Sequence, residues 1–399
     1  MNMKFYYENL DFKNKSNGYP FCHISNLDWN YGFSNPIFEL NDSEPIIWNF
    51  SIIGEMNSHV IDSNKDYLEK VFDKVKDTPN VKIVFSNFHE GTNQNPFFSR
   101  LILFKDKFNL ATDQIVVVTN NKYSELFNKH GIKVIHKPYL FGFLVDHYRD
   151  IKNTSIDYRG SEIGLLNAVE YLGSKKKKFF LSYNKNTTKT FRVQLLLWLI
   201  KNGLIDDSYV SILIKNDNFN RRELESKEVE LYDLVAYYDK FDRIGFNVLD
   251  WDYPNHQNDV FSNLKYTTKS HYADTYFNII TETSFENNSL NLTEKSFKAF
   301  ANCHPFLIIG DMNTHEYLKT LGFELYDELI DYSFDSVPDN QKRLNDALGQ
   351  IRKIHTLGPD TMINFYKNNF EKIKKNKEKF FEYSFSKMID DTIKDLSNL

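Results

Sequence analysis

Cysteine is nearly absent: Cys22 and Cys303 are the whole supply in 399 residues. Two thiols build neither a disulfide framework nor a cysteine-based metal site, and each reads as a small buried hydrophobe. Long apolar runs are missing too. The longest, "LLLWLI" (195–200) and "PFLIIG" (305–310), fall far short of the roughly 20 residues that span a bilayer. The opening "MNMKFYYENLDF" has no apolar signal core. A soluble, cytoplasmic chain without a membrane span is the expectation. Charge of one sign is also lacking, since 49 basic residues face 54 acidic ones for a formal net charge of −5. Such a balance gives no global field for a polyanion, so a nucleic-acid partner would need a local basic patch. No repeat of fixed period is visible.

What is present is a globular composition, 41% hydrophobic and 26% charged, on a chain long enough for two domains. The first third alternates two kinds of segment. "PIIWNFSII" (45–53), "VKIVFSNF" (81–88), "QIVVVTNN" (114–121) and "IKVIHKPY" (132–139) are β-branched or aromatic runs bounded by polar turns. Between them "DYLEKVFDKVKD" and "YSELFNKHG" space their apolar residues as helices do, the second with a glycine stop. Strand signal fades over 150–174, then returns in "KFFLSYN" (178–184), the loop "KNTTKT", the helix "FRVQLLLWLIKNG" closed by Gly203, the strand "YFNIITE" (276–282), a helix after Thr293, the strand "PFLIIG" and "THEYLKTLGF". From Pro359 the period is helical, with Phe365, Phe370, Phe380 and Phe381 as candidate buried positions, and its "KIKKNKEK" reads as a solvated face because Glu and Asn interleave the lysines. The expected fold class is α/β: two Rossmann-like domains facing a cleft, over 1–173 and 174–358, with a C-terminal helical segment over 359–399.

Open parallel sheets bind ligands at the carboxyl ends of their strands. In the second domain two strand-to-helix turns carry suitable chemistry: one delivers Arg192, the other Thr293, Glu294 and Lys295. Thr293 fits an N-cap, which aims the free N–H groups of the first turn outward along a positive helix end. Lys295 adds a full charge there and Arg192 a planar fork of donors, so a diphosphate suits the place. Glu294, which a diphosphate would repel, suits ribose hydroxyls instead, and Glu282 at the strand end is a second acceptor for sugar hydroxyls. "NVLDWDYPNH" offers a competing reading in Asp250-Trp251-Asp252, the acid-x-acid pattern that holds a divalent metal and a donor diphosphate in single-domain glycosyltransferases. His256 and Asp259 close by read as a polar loop.

The stretch "FNIITETSFENNSLNLTEKSFKAFANCHPFLIIG" resembles the donor-domain segment of α1,3-fucosyltransferase-like enzymes and of related bacterial and viral glycosyltransferases. Glu282, Thr293, Glu294, Lys295, Pro305 and Gly310 follow that pattern in order; "FFLSYNKNTTKTFRVQLL" is similar to the family's first donor-domain strand, its arginine falling on Arg192. Where the pattern has Asn-Ser after the first acid, this chain has Thr283-Ser284. The resemblance covers about 178–346. It implies a GT-B glycosyltransferase that moves a sugar from a nucleotide diphosphate sugar to a hydroxyl acceptor, a glycan or another molecule. The donor domain would be 174–358 and the acceptor side 1–173, with inversion at the anomeric carbon, no metal and no cofactor beyond the donor substrate. In that family the arginine and lysine hold the diphosphate, and the acids touch ribose or sugar. Inverting enzymes also need a carboxylate to take the acceptor proton. "VFSNFHEGTNQNP" places Glu90 and, second, His89 just after a first-domain strand, while Glu55 and His59 make a weaker pair. Two alternatives stand beside this reading: a glycosyltransferase acting on modified DNA bases, which the acidic balance disfavours, and a non-catalytic module that binds nucleotide or glycan.

Overall fold

The computed structural model describes residues 4–9, 46–51, 58–87, 95–111, 113–139, 142, 145, 155–156, 162–163, 165–186, 189–213, 269–286, 289–290 and 292–398. They divide into two compact units. Unit 1 is Met1–Leu140 with Asn288–Asn291 and Phe385–Leu399; unit 2 is Phe141–Asn287 with Leu292–Ser384. The join therefore falls at Leu140 instead of near Gly173, and the segment expected as one piece over 359–399 is divided between the units. A fading strand signal marks where sheet residues stop, whereas membership of a unit depends on which core the side chains enter.

Unit 1 is built on a five-stranded sheet in the order β1-β2-β3-β4-β5, formed by Lys4–Asn9, Ile46–Ser51, Val81–Asn87, Ile115–Thr119 and Lys133–His136. All four pairings are parallel. Four of these strands lie where the β-branched runs predict them. One face of the sheet buries Ile83, Phe85, Ile115 and Val117 against helices α1 (Ser58–Ser63), α2 (Lys65–Val75) and α3 (Asn95–Phe108). Helix α2 shows why: Leu68, Val71, Phe72 and Val75 recur at three- and four-residue steps and are its buried positions, with Asp66 in the first turn and Lys74 in the last. Every residue of β4 is buried, as both faces of a parallel strand require. The segment "YSELFNKHG" forms a 3-10 helix, Lys122–His130, stopped by Gly131 at φ 74°. The strand order runs straight from β1 to β5, so among the described residues this sheet shows no reversal at which a doubly wound sheet opens a crevice.

Unit 2 does have one. After the two-residue strands β6 (Ser155–Ile156) and β7 (Glu162–Ile163), four parallel strands are laid down: β8 (Lys178–Asn186), β9 (Ser208–Leu213), β10 (Thr275–Thr281) and β11 (Phe306–Ile309). Their spatial order is β11-β10-β8-β9, so the chain moves outward from β8 to β9 and then returns to the other side of β8. The strand order reverses between β8 and β10. Helices α4 (Ala168–Gly173), α5 (Thr190–Lys201), α6 (Lys269–Ala273), α7 (Glu294–Ala301) and α8 (Thr314–Thr320) accompany the sheet, followed by α9 (Asn340–Asn368) and α10 (Phe370–Glu382), while the last helix, α11 (Phe385–Ser397), belongs to unit 1. Helix α5 is apolar nearly all round, with Phe191, Val193, Leu195, Leu196, Leu197, Leu199 and Ile200 buried, and Gly203 at φ 68° ends it as the sequence predicts. Helix α9 is two helices joined through Gly358 (φ 76°, ψ 170°) and Pro359. Phe365 and Phe380 are buried as expected, whereas Phe370 and Phe381 are half-buried. Among the described residues no helix is long and apolar enough to cross a membrane.

Candidate functional site

The reversal between β8 and β10 brings Arg192, Glu282, Thr293, Glu294 and Lys295 to the carboxyl ends of two neighbouring strands, where ligands of open α/β sheets bind. The strand ends themselves are polar inside. Thr281, the last residue of β10, donates its hydroxyl to Asn184 Oδ1 on β8, and Asn184 Nδ2 donates to Ser182 Oγ at 2.8 Å. Neither Asn184 nor Thr281 stood out in the sequence, because nothing there shows which strands become neighbours.

Glu282 follows β10 directly. Its N–H still pairs with Ile309 O at 2.9 Å, and its buried carboxylate receives the Thr293 N–H (3.2 Å), the Thr293 hydroxyl and the Ser296 hydroxyl. Burial drives the carboxyl above its ordinary value, and the charge of Lys295 and these hydrogen bonds offset that only in part. Gly310 lies beside this side chain: a Cβ there would meet Glu282 Cβ at an ordinary contact distance of 3.5 Å and crowd Thr314 Oγ1 at 3.0 Å. Thr293 occupies the N-cap position of α7 with extended backbone (φ −113°, ψ −179°), but its side chain does not cap the helix. Its hydroxyl donates to Glu282 and accepts from Lys295 Nζ at 3.2 Å. Charged partners on both sides outcompete the neutral amides of the first turn.

Glu294 opens the helix. Its Oε1 accepts from Lys295 Nζ at 2.7 Å, whereas its Oε2 is buried and has no hydrogen-bond partner among the described residues. Burial alone would push this carboxyl up. The charges of Lys295 and of fully buried Lys298 outweigh it and bring the value down to about 2. The result is an ionised acceptor, fixed in place and with one oxygen unused. Lys298 is a residue that sequence reasoning passed over, although its i+4 spacing from Glu294 was visible as a helical ion-pair step. Ser296 was passed over as well.

Arg192 departs from expectation. Its side chain is buried at the start of α5, and Nη2 donates to Glu282 O at 2.8 Å and to Thr281 O at 3.3 Å. The fork that suits a phosphate here grips the backbone of the strand end.

Glu90 and His89, the candidate bases, lie outside the described residues, as do Glu55, Asp250-Trp251-Asp252, His256 and Asp259; His59 falls within α1. Among the described residues no group of three or more His, Cys, Asp and Glu side chains is placed to hold a metal ion. Compared with known proteins, the chain matches no family model and no curated protein.

Proposed function

We propose that the reversal site of unit 2 binds the nucleoside diphosphate part of a nucleotide sugar, and that the chain is a GT-B glycosyltransferase passing the sugar to a hydroxyl acceptor. The observation that carries this reading is Glu294 Oε2, a buried, ionised oxygen at the start of α7 without a partner among the described residues. Buried polar atoms are satisfied with few exceptions, so an orphan acceptor at a strand-order reversal calls for a ligand that brings donors. Ribose hydroxyls are such donors. Beside it, Lys295 and the positive end of α7 suit the diphosphate. As the glycosidic bond breaks, negative charge builds on the departing diphosphate and Lys295 stabilises it. The group that takes the acceptor proton is assigned to Glu90, with His89 second, on sequence grounds alone. In a non-catalytic binding module the donor contacts would be the same and no sugar would leave.

A panel of nucleotide sugars incubated with the whole chain tests the reading. Slow release of free nucleotide from one donor is the expected result, and it names that donor. Binding without release across the panel would favour the module, and neither binding nor release would sink the proposal. Turnover is expected to survive excess EDTA. If chelation stopped it and Mn²⁺ or Mg²⁺ restored it, Asp250-Trp251-Asp252 would take over the diphosphate.

A further inference from the structure

Two arginines are buried around the loop that joins β10 to α7. Arg192 holds its entry through Thr281 O and Glu282 O. Arg343, on α9 and also buried, donates from Nη2 to Phe285 O at 2.9 Å and to Asn340 Oδ1 at 2.9 Å, from Nη1 to Val337 O at 2.7 Å, and from Nε to Gly310 O at 3.3 Å. The two are linked by rings. Phe191 and Phe285 stack with centroids 4.9 Å apart and 23° between planes; the Arg343 guanidinium lies 4.5 Å from the Phe285 centroid and that of Arg192 5.7 Å from Phe191. The stacked ring pair thus lies between the two arginines in a chain of contacts, and their guanidinium groups bind carbonyls at Thr281, Glu282, Phe285 and Gly310.

We infer that Arg192 and Arg343 form a paired clasp on this loop and act as positioning residues for Glu282, with neither serving as an anion ligand. A guanidinium is suited to the task because its rigid fork meets several carbonyls at once and its flat face stacks on an aromatic ring. Arg343 also grips Gly310, which lies beside Glu282: a Cβ there would stand in ordinary contact with Glu282 Cβ, at 3.5 Å. Holding Gly310 O and Phe285 O fixes the backbone beside Glu282 and the backbone three residues beyond it in the loop. The clasp concerns the geometry of the site and rests on the glycosyltransferase reading only for its effect on turnover.

The test uses the whole chain with Arg192→Lys and Arg343→Lys, which keep the charge and lose the fork. Glutamate labelled with ¹³C at the carboxyl carbon reports the titration of Glu282, its signal identified with Glu282→Gln. Glu282 is faced by Lys295 and Glu294 from α7 and by Arg192 from α5, and none of these charges changes sign in the two variants. If the clasp holds, each variant loosens the loop and admits water, so the Glu282 midpoint falls toward the ordinary carboxylate value in both. Affinity for inorganic pyrophosphate, measured by calorimetry, then changes to a similar extent in the two. A midpoint that stays put in both variants overturns the clasp even where melting temperature drops, since mere loss of stability leaves the titration alone. Loss of pyrophosphate affinity by about tenfold or more in Arg192→Lys alone, with Glu282 unmoved, overturns it in favour of a phosphate-binding fork. If Arg343→Lys does not fold, Phe285→Leu breaks the stack and is expected to lower the midpoint in the same way; an unmoved midpoint there counts against the clasp. Failure of the wild-type chain to bind pyrophosphate would count against the proposed function, while the titration still decides the clasp.

Discussion

Lys295 and Glu294 touch each other, yet their removal is expected to act on different constants. A lysine that meets charge building on a departing diphosphate stabilises the transition state more than the bound donor, so Lys295→Ala should lower kcat more than it weakens donor binding. Loss of such a charge-assisted contact costs about 2–4 kcal/mol, on the order of a hundredfold or more in rate. Ribose contacts persist through the reaction, so Glu294→Ala should raise KM and leave kcat in place. Because Lys295 Nζ is bonded to Glu294 Oε1 at 2.7 Å, the lysine variant also strands a buried carboxylate. The double variant separates the two effects: if stranding were the whole cause, Lys295→Ala with Glu294→Ala would recover kcat. Steady-state kinetics of the three variants, each confirmed folded by circular dichroism, decides it, and near-wild-type constants throughout would leave "TEK" as a mere helix start. Glu282 offers a second check, through pH. Its folded-state value lies above the ordinary 4.5, chiefly through burial. The folded state therefore binds the proton more tightly than the unfolded one, and its contribution to stability declines as pH rises from 4.5 through the folded value. Relative to Glu282→Gln, the wild-type chain should lose stability over that interval in urea titrations, and a difference constant with pH would refute the assignment.

Helix α8 carries the next prediction, and it depends on a residue far along the chain. Asp335 is the buried acceptor at its start: Oδ2 takes the N–H groups of His315 (2.9 Å) and Glu316 (3.1 Å), and Oδ1 lies 2.8 Å from His315 Nδ1. His315 Nε2 accepts from the Ile308 N–H at 3.1 Å, which leaves the ring proton on Nδ1 to donate to Asp335. Burial raises the Asp335 carboxyl, but His315 and the amide bonds prevail and hold it below the ordinary 3.8. A depressed acid stabilises the fold above its unfolded value, and the contribution is lost as pH falls below about 3.8. Asp335→Asn, which keeps one acceptor oxygen, should cost about 1–2 kcal/mol at neutral pH and flatten the acid limb of the stability curve. An unchanged acid limb in denaturant melts would show that the cap does not govern it. Elements differed in how plainly the sequence announced them. Apolar runs such as "IVVVT" and "FLII" are buried on both faces and stand out from polar turns, so β4 and β11 were legible. By contrast β1 (KFYYEN) and β9 (SYVSIL) lie at sheet edges and mix polar with apolar residues in neither a continuous apolar run nor a strict alternation, which leaves little to separate them from loop. Glu282, Thr293, Glu294 and Lys295 could be placed because strand end and helix start are local signals. The partner of Arg192 could not, since a long side chain reaches carbonyls ninety residues away in sequence.

At the scale of the whole chain, the last helix leaves the core of its neighbours in sequence. Phe385–Leu399 packs with unit 1, although α10, which precedes it, belongs to unit 2. The attachment is specific: the hydroxyls of Tyr139 and Thr392 are hydrogen-bonded in the interior, Lys137 Nζ meets Asp395 at 2.8 Å, and Tyr139 meets the Phe385 ring edge-on at 6.5 Å. Met388, Ile389 and Leu396 are buried on the same helix. Helical period alone shows this face to be apolar and says nothing of which unit it covers, so the expected single piece over 359–399 could not reveal the division. Burial of three such side chains is worth about 1.5–3 kcal/mol each, a large share of the few kcal/mol that separate a folded unit from an unfolded one. Ending the chain at Ser384 should accordingly weaken unit 1 and leave unit 2 intact. Amide exchange reads the two separately: protection in β4 and β5 is expected to fall by orders of magnitude, while that of β8 and β10 holds. The shortened chain should also keep the reversal site with its orphan acceptor, since every residue of that site belongs to unit 2. Binding of a nucleotide would then survive the truncation, and sugar transfer to an acceptor would not if the acceptor-side base stands in unit 1. Equal loss of protection in both units would mean that the helix supports the chain as one cooperative body, and loss of nucleotide binding would move the site out of unit 2.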